Sequence, residues 1–126
     1  MSKIETDQTP RKKSGIPRLV DATRFSTSGF AAAFRYEEAF RLEIFAFCVL
    51  APLGIWLGES RIEQVLLVTS LVLVLLAELI NSAIEAVVDR GGTEFDVLAG
   101  RAKDLGSAAV LLCLLLAVFV WAMVLI

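Results

Sequence analysis

Residues Val65–Val88 read VLLVTSLVLVLLAELINSAIEAVV, and the change of character along that stretch decides the fold. From Val65 to Ala77 it holds no charge; then Glu78, Glu85 and, just beyond, Asp89 follow. An apolar run starting near Ile62 and lasting this long crosses a hydrocarbon core of about 30 Å and projects a turn or two past it. The clean part ends at Ala77, which puts Glu78 near one interface and Glu85 and Asp89 in the headgroup zone or in water. On an α-helix, Glu78, Asn81, Ser82, Glu85 and Asp89 share roughly a quarter to a third of the circumference. Glu78 and Glu85 are nearly eclipsed, about 10 Å apart along the axis. A carboxylate in or beside a bilayer costs a few kcal/mol, so a stripe of three acids there reads as a site.

The remaining composition agrees with a membrane setting. Of 126 residues, 57% are hydrophobic, above the usual soluble share of about 45–50%, and they gather in three long blocks. The expectation is one all-α integral membrane domain with three transmembrane helices. So small a protomer buries little polar chemistry alone, which favours an oligomer with shared sites. A net charge of −2 does not point to nucleic acid as a partner. Histidine is absent, which removes imidazole catalysis and His metal sites together. Cys48 and Cys113 each sit within an apolar block without metal spacing and read as small packing residues.

In chain order, residues 1–14 form a polar tail with a basic cluster at Arg11, Lys12 and Lys13, expected to be disordered and cytoplasmic. A helical pattern follows over 16–38. Ile16, Leu19, Phe30, Ala33 and Phe34 fall on one side and Asp21, Arg24, Ser28 and Arg35 on the other, with Pro17 suited to the first turn. An apolar stripe opposed by charges, directly before a membrane block, predicts an amphipathic helix in the interface plane. Spans are predicted over about 42–58, 62–88 and 105–126. The first contains Pro52 and ends near Trp56, in keeping with an aromatic belt. Gly58–Arg61 forms a tight turn, Arg90, Gly91 and Gly92 end the second helix, and Asp96, Arg101, Lys103 and Asp104 lie in a connector. Small residues from Gly106 to Ala109 permit close helix approach. Trp121 reads as a second interface anchor. Eight of the twelve Lys and Arg residues precede the first span, so the N-terminus and second connector belong in the cytoplasm and the C-terminus outside.

Acids from one helix, joined by Lys103 and Asp104, are the parts needed to hold a Mg²⁺–nucleotide. Mg²⁺ takes a few carboxylates with phosphate oxygens and water; a lysine supplies a point charge for phosphate; a further carboxylate can deprotonate a hydroxyl. No GxxxxGK[ST] or kinase glycine loop is present. Spacing alone leaves other readings open. Two acids a heptad apart also suit a cation path or proton relay, Asn81 a helix-packing contact, Asp89 a charged helix end, and Lys103–Asp104 a solvated pair.

The segment ELINSAIEAVVDR (Glu78–Arg90), followed by GRAKDLGSAAVLL (Gly100–Leu112), resembles the bacterial integral-membrane diacylglycerol kinase family. The order of the rest agrees, with EEAFRLE (Glu37–Glu43) before the first span, and the likeness covers about residues 15–126. It implies a membrane kinase domain over 15–126, a homotrimer with shared active sites, and phosphorylation of diacylglycerol by ATP with Mg²⁺ at the bacterial inner membrane. It further implies Glu78 as catalytic base, Glu37 and Glu85 as metal ligands, and Asn81 as a supporting residue. Arg18, Phe25, Glu37, Glu85, Asp89, Lys103 and Asp104 match nucleotide-side positions; Arg18, Ser26, Glu43, Trp56, Glu78 and Ser107 match lipid-side positions. Phe25 stands where a Tyr is common, and Phe95-Asp96 where members often have Tyr-His. The alternatives are an undecaprenol kinase, a proton-coupled transporter subunit using Glu78, and a non-catalytic assembly protein.

Overall fold

The structure, a computed structural model, describes residues 11–91 and 96–126. Four helices follow one another: α1 (Ile16–Tyr36), α2 (Glu38–Leu57), α3 (Arg61–Asp89) and α4 (Val97–Leu125). Among the described residues there is no strand. Helices α2, α3 and α4 are each long and apolar enough to cross a membrane. The expected tail lies largely, and Gly92 and Phe95 wholly, outside the described residues.

The chain divides into a unit ending at Ala32 and a second unit, Ala33–Ile126. Within the first, α1 is amphipathic as its sequence pattern predicts, with Pro17 in its first turn. Thr23, Ser26 and Thr27 each turn a hydroxyl back to donate to the carbonyl four residues earlier. Lys13 pairs with Asp21 at 3.1 Å.

In the second unit Glu37 is one extended residue (φ −111°, ψ 107°) that separates α1 from α2. Helix ends leave carbonyls without partners, and here the Arg41 guanidinium donates to the carbonyls of Phe34 and Arg35 at 3.0 and 3.1 Å. That contact lets α2 start at Glu38, earlier than the residue near 42 expected from hydropathy alone.

The turn between α2 and α3 is also built from side chains. Ser60 caps α3 by accepting from Glu63 N–H at 3.2 Å, while the Glu63 carboxylate accepts from Glu59 N–H at 2.7 Å. Gln64 reaches back to donate to the Ile55 carbonyl at 2.9 Å. At the other connector, Asp96 caps α4, accepting from Leu98 N–H at 2.9 Å. Helix α4 therefore begins at Val97, and Arg101, Lys103 and Asp104 are helical rather than in a loop.

Helix α3 packs against both α2 and α4. Gly54 permits a close approach: a Cβ there would stand 3.2 Å from Leu67 Cβ and 3.3 Å from the Trp121 ring. The Trp121 indole donates to the Leu67 carbonyl at 3.2 Å, and Ser70 Oγ donates to the same oxygen at 2.8 Å. Trp121 thus uses its N–H to tie α4 to α3. Leu67 and Phe40 are the large side chains most fully buried.

Candidate active site

The acidic stripe of α3 keeps the order its spacing predicts, and its burial falls along the helix. Glu78 and Asn81 are buried, at 6% and 7% exposure; Ser82 and Glu85 are half-buried and Asp89 is exposed. One helix face thus passes from the protein interior to solvent in three turns. The charge nearest the apolar run is therefore also the most enclosed.

Three other carboxylates gather around Glu78. Glu85 from the same helix, Glu37 from the α1–α2 junction and Glu43 from the second turn of α2 all lie within electrostatic reach of it. The extended residue that breaks α1 from α2 is itself one of the acids. Glu43 is half-buried, and its Oε2 is enclosed without a hydrogen-bond partner.

Asn81 is held between two neighbours. Its Nδ2 donates to Glu85 Oε1 at 3.4 Å, a long bond that still fixes which way the carboxylate turns. Its Oδ1 is buried without a partner and lies where a Cβ on Gly106 would fall. Only glycine at 106 lets α4 come this close to α3 at Asn81. The small residues at the head of the third span announced close approach; which of them mattered, and to what, emerges only from the packing.

Across the 90–96 connector, Lys103 Nζ donates to Asp89 Oδ1 at 3.0 Å. Both ends are open to solvent, so screening leaves the pair little weight in stability; its consequence is to hold an ammonium at the solvent end of the stripe. Asp104, Ser107 and Arg101 are exposed on α4. Arg18, Phe25 and Ser26 are exposed on the part of α1 that belongs to the first unit. Trp56 is not brought to the carboxylates. It lies 79% exposed at the end of α2, about 20 Å along the helix axis from Glu43, because α2 carries them toward opposite ends.

Sequence reasoning did not single out the contact of Gly106 with Asn81, nor Gly54, nor the capping role of Asp96. Asp96 had a signal, an Asp directly ahead of a helical pattern. Gly106 had one in the small-residue run that it opens, though not its partner Asn81; Gly54 had none, since close approach is a property of two helices together.

The donor set is all oxygen, in a chain without histidine. Among the described residues no three acidic, His or Cys side chains converge into a ready-made metal cage. Mg²⁺ does not require one, being held through one or two carboxylates with substrate phosphates and water. Glu85, oriented by Asn81, and Glu37 fit that requirement.

The model of the family described as prokaryotic diacylglycerol kinase matches residues 24–125. The chain is 48% identical over 110 residues to the diacylglycerol kinase of Haemophilus influenzae, spanning 87% of this chain and 93% of that one. It is 46% identical over 112 residues to the diacylglycerol kinase of Escherichia coli K12, with 89% and 92% covered. Against the diacylglycerol kinase of Pseudomonas aeruginosa it is 43% identical over 113 residues, with 90% and 92% covered.

Proposed function

The chain belongs to the prokaryotic diacylglycerol kinase family, and from that premise we propose that it transfers the γ-phosphoryl group of ATP to the free hydroxyl of diacylglycerol, yielding phosphatidic acid and ADP. The observation that carries the mechanism is the buried Glu78 at the end of a long apolar run, with Glu37, Glu43 and Glu85 gathered near it. A lipid hydroxyl is delivered at the edge of the hydrocarbon, and that is where Glu78 sits.

Glu78 accepts the hydroxyl proton as the lipid oxygen attacks. A P–O bond forms to the γ-phosphorus, the bond to the bridging β–γ oxygen breaks, and ADP leaves with that electron pair. Catalysis of this kind rests on positioning and charge compensation. Glu37 and Glu85 would hold Mg²⁺, whose chemistry is to neutralise phosphate charge. Lys103, tethered by Asp89, offers a cation to the nucleotide at the solvent end of the stripe, and Asp104 stands beside it. Asn81 keeps the Glu85 carboxylate turned, and Glu43 receives the lipid glycerol. Arg18, Phe25 and Ser26 belong to the nucleotide and lipid sides, and Ser107 to the lipid side. The enzyme works as a homotrimer with shared sites in the bacterial inner membrane, its N-terminus cytoplasmic and C-terminus periplasmic.

The test is phosphate transfer from labelled ATP in mixed micelles, with diacylglycerol and undecaprenol offered in parallel. Turnover of diacylglycerol that Glu78→Gln abolishes is the expected result. Preference for undecaprenol would overturn the substrate, and full activity of Glu78→Gln would overturn the base.

A further inference from the structure

The break between α1 and α2 is spanned by one side chain. At Glu37 ψ is 107°, about 150° from its helical value. The backbone bonds on either side persist: Glu37 N–H donates to the Ala33 carbonyl at 2.9 Å, and the Glu37 carbonyl accepts from Arg41 N–H at 3.2 Å. In an unbroken helix, Glu38 and Ala39 N–H would serve the carbonyls of Phe34 and Arg35. The break takes those donors away, and Arg41 Nη1 replaces both, at 3.0 and 3.1 Å. Glu37 holds the N-cap position of α2, yet its side chain makes no capping hydrogen bond. It is half-buried while its neighbour Glu38 is exposed. Phe40, 2% exposed, anchors the first turn of α2.

We propose that Arg41 is the positioning residue for Glu37: by taking the two carbonyls that the break orphans, it holds the junction open and leaves the Glu37 carboxylate free for the metal. The inference rests on the function proposed above, in which Glu37 holds Mg²⁺, and deepens it. Without the guanidinium, the junction has two ways to satisfy its polar groups, and each withdraws Glu37. The carbonyls of Phe34 and Arg35 could regain Glu38 and Ala39 N–H if ψ of Glu37 returned to its helical value. Because ψ turns about the Cα–C bond, the Glu37 side chain would then swing by about 150° relative to an α2 anchored at Phe40. Alternatively the Glu37 carboxylate would accept from the first N–H groups of α2, as N-cap side chains do, and those oxygens would be lost to a metal. Arginine suits the task because one terminal nitrogen carries two N–H groups on a long stem and reaches two successive carbonyls at a helix end. Capping from the α1 side therefore spares Glu37 that duty and keeps it within electrostatic reach of Glu78.

The test compares Arg41→Gln with the unaltered full-length protein in detergent micelles. Hydrogen exchange read by mass spectrometry across residues 34–41 reports the junction without turnover. Phosphate transfer from labelled ATP gives the Mg²⁺ concentration for half-maximal rate and KM for diacylglycerol. Altered exchange across 37–41, with exchange in α3 unchanged, is expected. The Mg²⁺ requirement rises by about tenfold, at the low end of what removing a contact that orients a metal ligand costs, while KM for the lipid stays close to the parent's. In a Glu37→Gln background Arg41→Gln adds little, because the two act through one contact. Arg41→Lys, which keeps a cation with several donors on a stem one atom shorter, lies between the two. It also carries the test if Arg41→Gln does not fold, and a parental Mg²⁺ titration in Arg41→Lys then overturns the proposal. Unchanged exchange in Arg41→Gln overturns it, as do equal rises in Mg²⁺ requirement and lipid KM, or a full effect without Glu37. Turnover of diacylglycerol by the unaltered protein reports separately on the function. Its absence overturns the kinase reading and this inference with it, whereas turnover with an unshifted Mg²⁺ requirement in Arg41→Gln removes only the role of Arg41.

Discussion

Replacing Gly106 by Ala tests whether the approach of α4 to α3 sets the metal-side carboxylate. The added Cβ would overlap Asn81 Oδ1 and come 3.5 Å from Ile84 Cδ1. Asn81 is buried, so it cannot swing into solvent; either its amide turns or the helices part. Overpacking of this kind costs about 1–3 kcal/mol, and the better helix propensity of Ala returns about 1 kcal/mol, leaving a net loss of roughly 0–2 kcal/mol. The larger effect falls on function. A turned amide no longer donates to Glu85 Oε1, and a hydrogen bond to a charged group is worth about 1.5–3 kcal/mol. At 3.4 Å the bond belongs at the low end of that range, which predicts a rise of about tenfold in the Mg²⁺ concentration for half-maximal phosphate transfer. Gly100→Ala is the matched control: the same substitution in the same helix, with nothing within 4 Å of the new Cβ. It should leave the Mg²⁺ titration unaltered and slow thermal inactivation in detergent. In an Asn81→Ala background the effect of Gly106→Ala should largely vanish, because the two side chains act through one contact. If Gly106→Ala titrates as the parent does, or retains its full effect without Asn81, the reasoning fails.

Four further outcomes are expected. Glu78→Gln lowers turnover by about 10²–10⁴, the usual share of general base catalysis, while circular dichroism and detergent-solubilised size stay unchanged; near-parental turnover counts against the base. Glu85→Gln shifts the Mg²⁺ titration more than it shifts KM for the lipid, and equal shifts in both count against a metal role. Lys103→Met raises KM for ATP yet leaves the rate of thermal inactivation nearly unchanged, since the pair it leaves is exposed; a large loss of stability would mean the lysine is structural. Trp121→Phe removes the N–H bond but leaves the Leu67 carbonyl partnered by Ser70, so about 0.6–1 kcal/mol of stability is lost, visible as faster thermal inactivation, and no change there would show that the bond contributes nothing.

Periodicity and hydrophobic run length made the helical membrane class and the acidic face of α3 legible without coordinates, because both are properties of a single helix. Three long apolar runs demand three helices, since lipid leaves a backbone no other way to satisfy its polar groups locally apart from a closed barrel. The face shared by Glu78, Asn81, Glu85 and Asp89 follows from 100° per residue and nothing more. The helix boundaries were less legible, because side chains decide them: Arg41 closing the end of α1, and Asp96 starting α4 ahead of its apolar run. The rest needed the tertiary structure. Which acids meet around Glu78, why residue 106 is glycine, and that Trp121 serves Leu67 all depend on how close two or three helices come and at what rotation. Those distances are set by the summed packing of side chains far apart in the sequence, so no local pattern in the chain carries them.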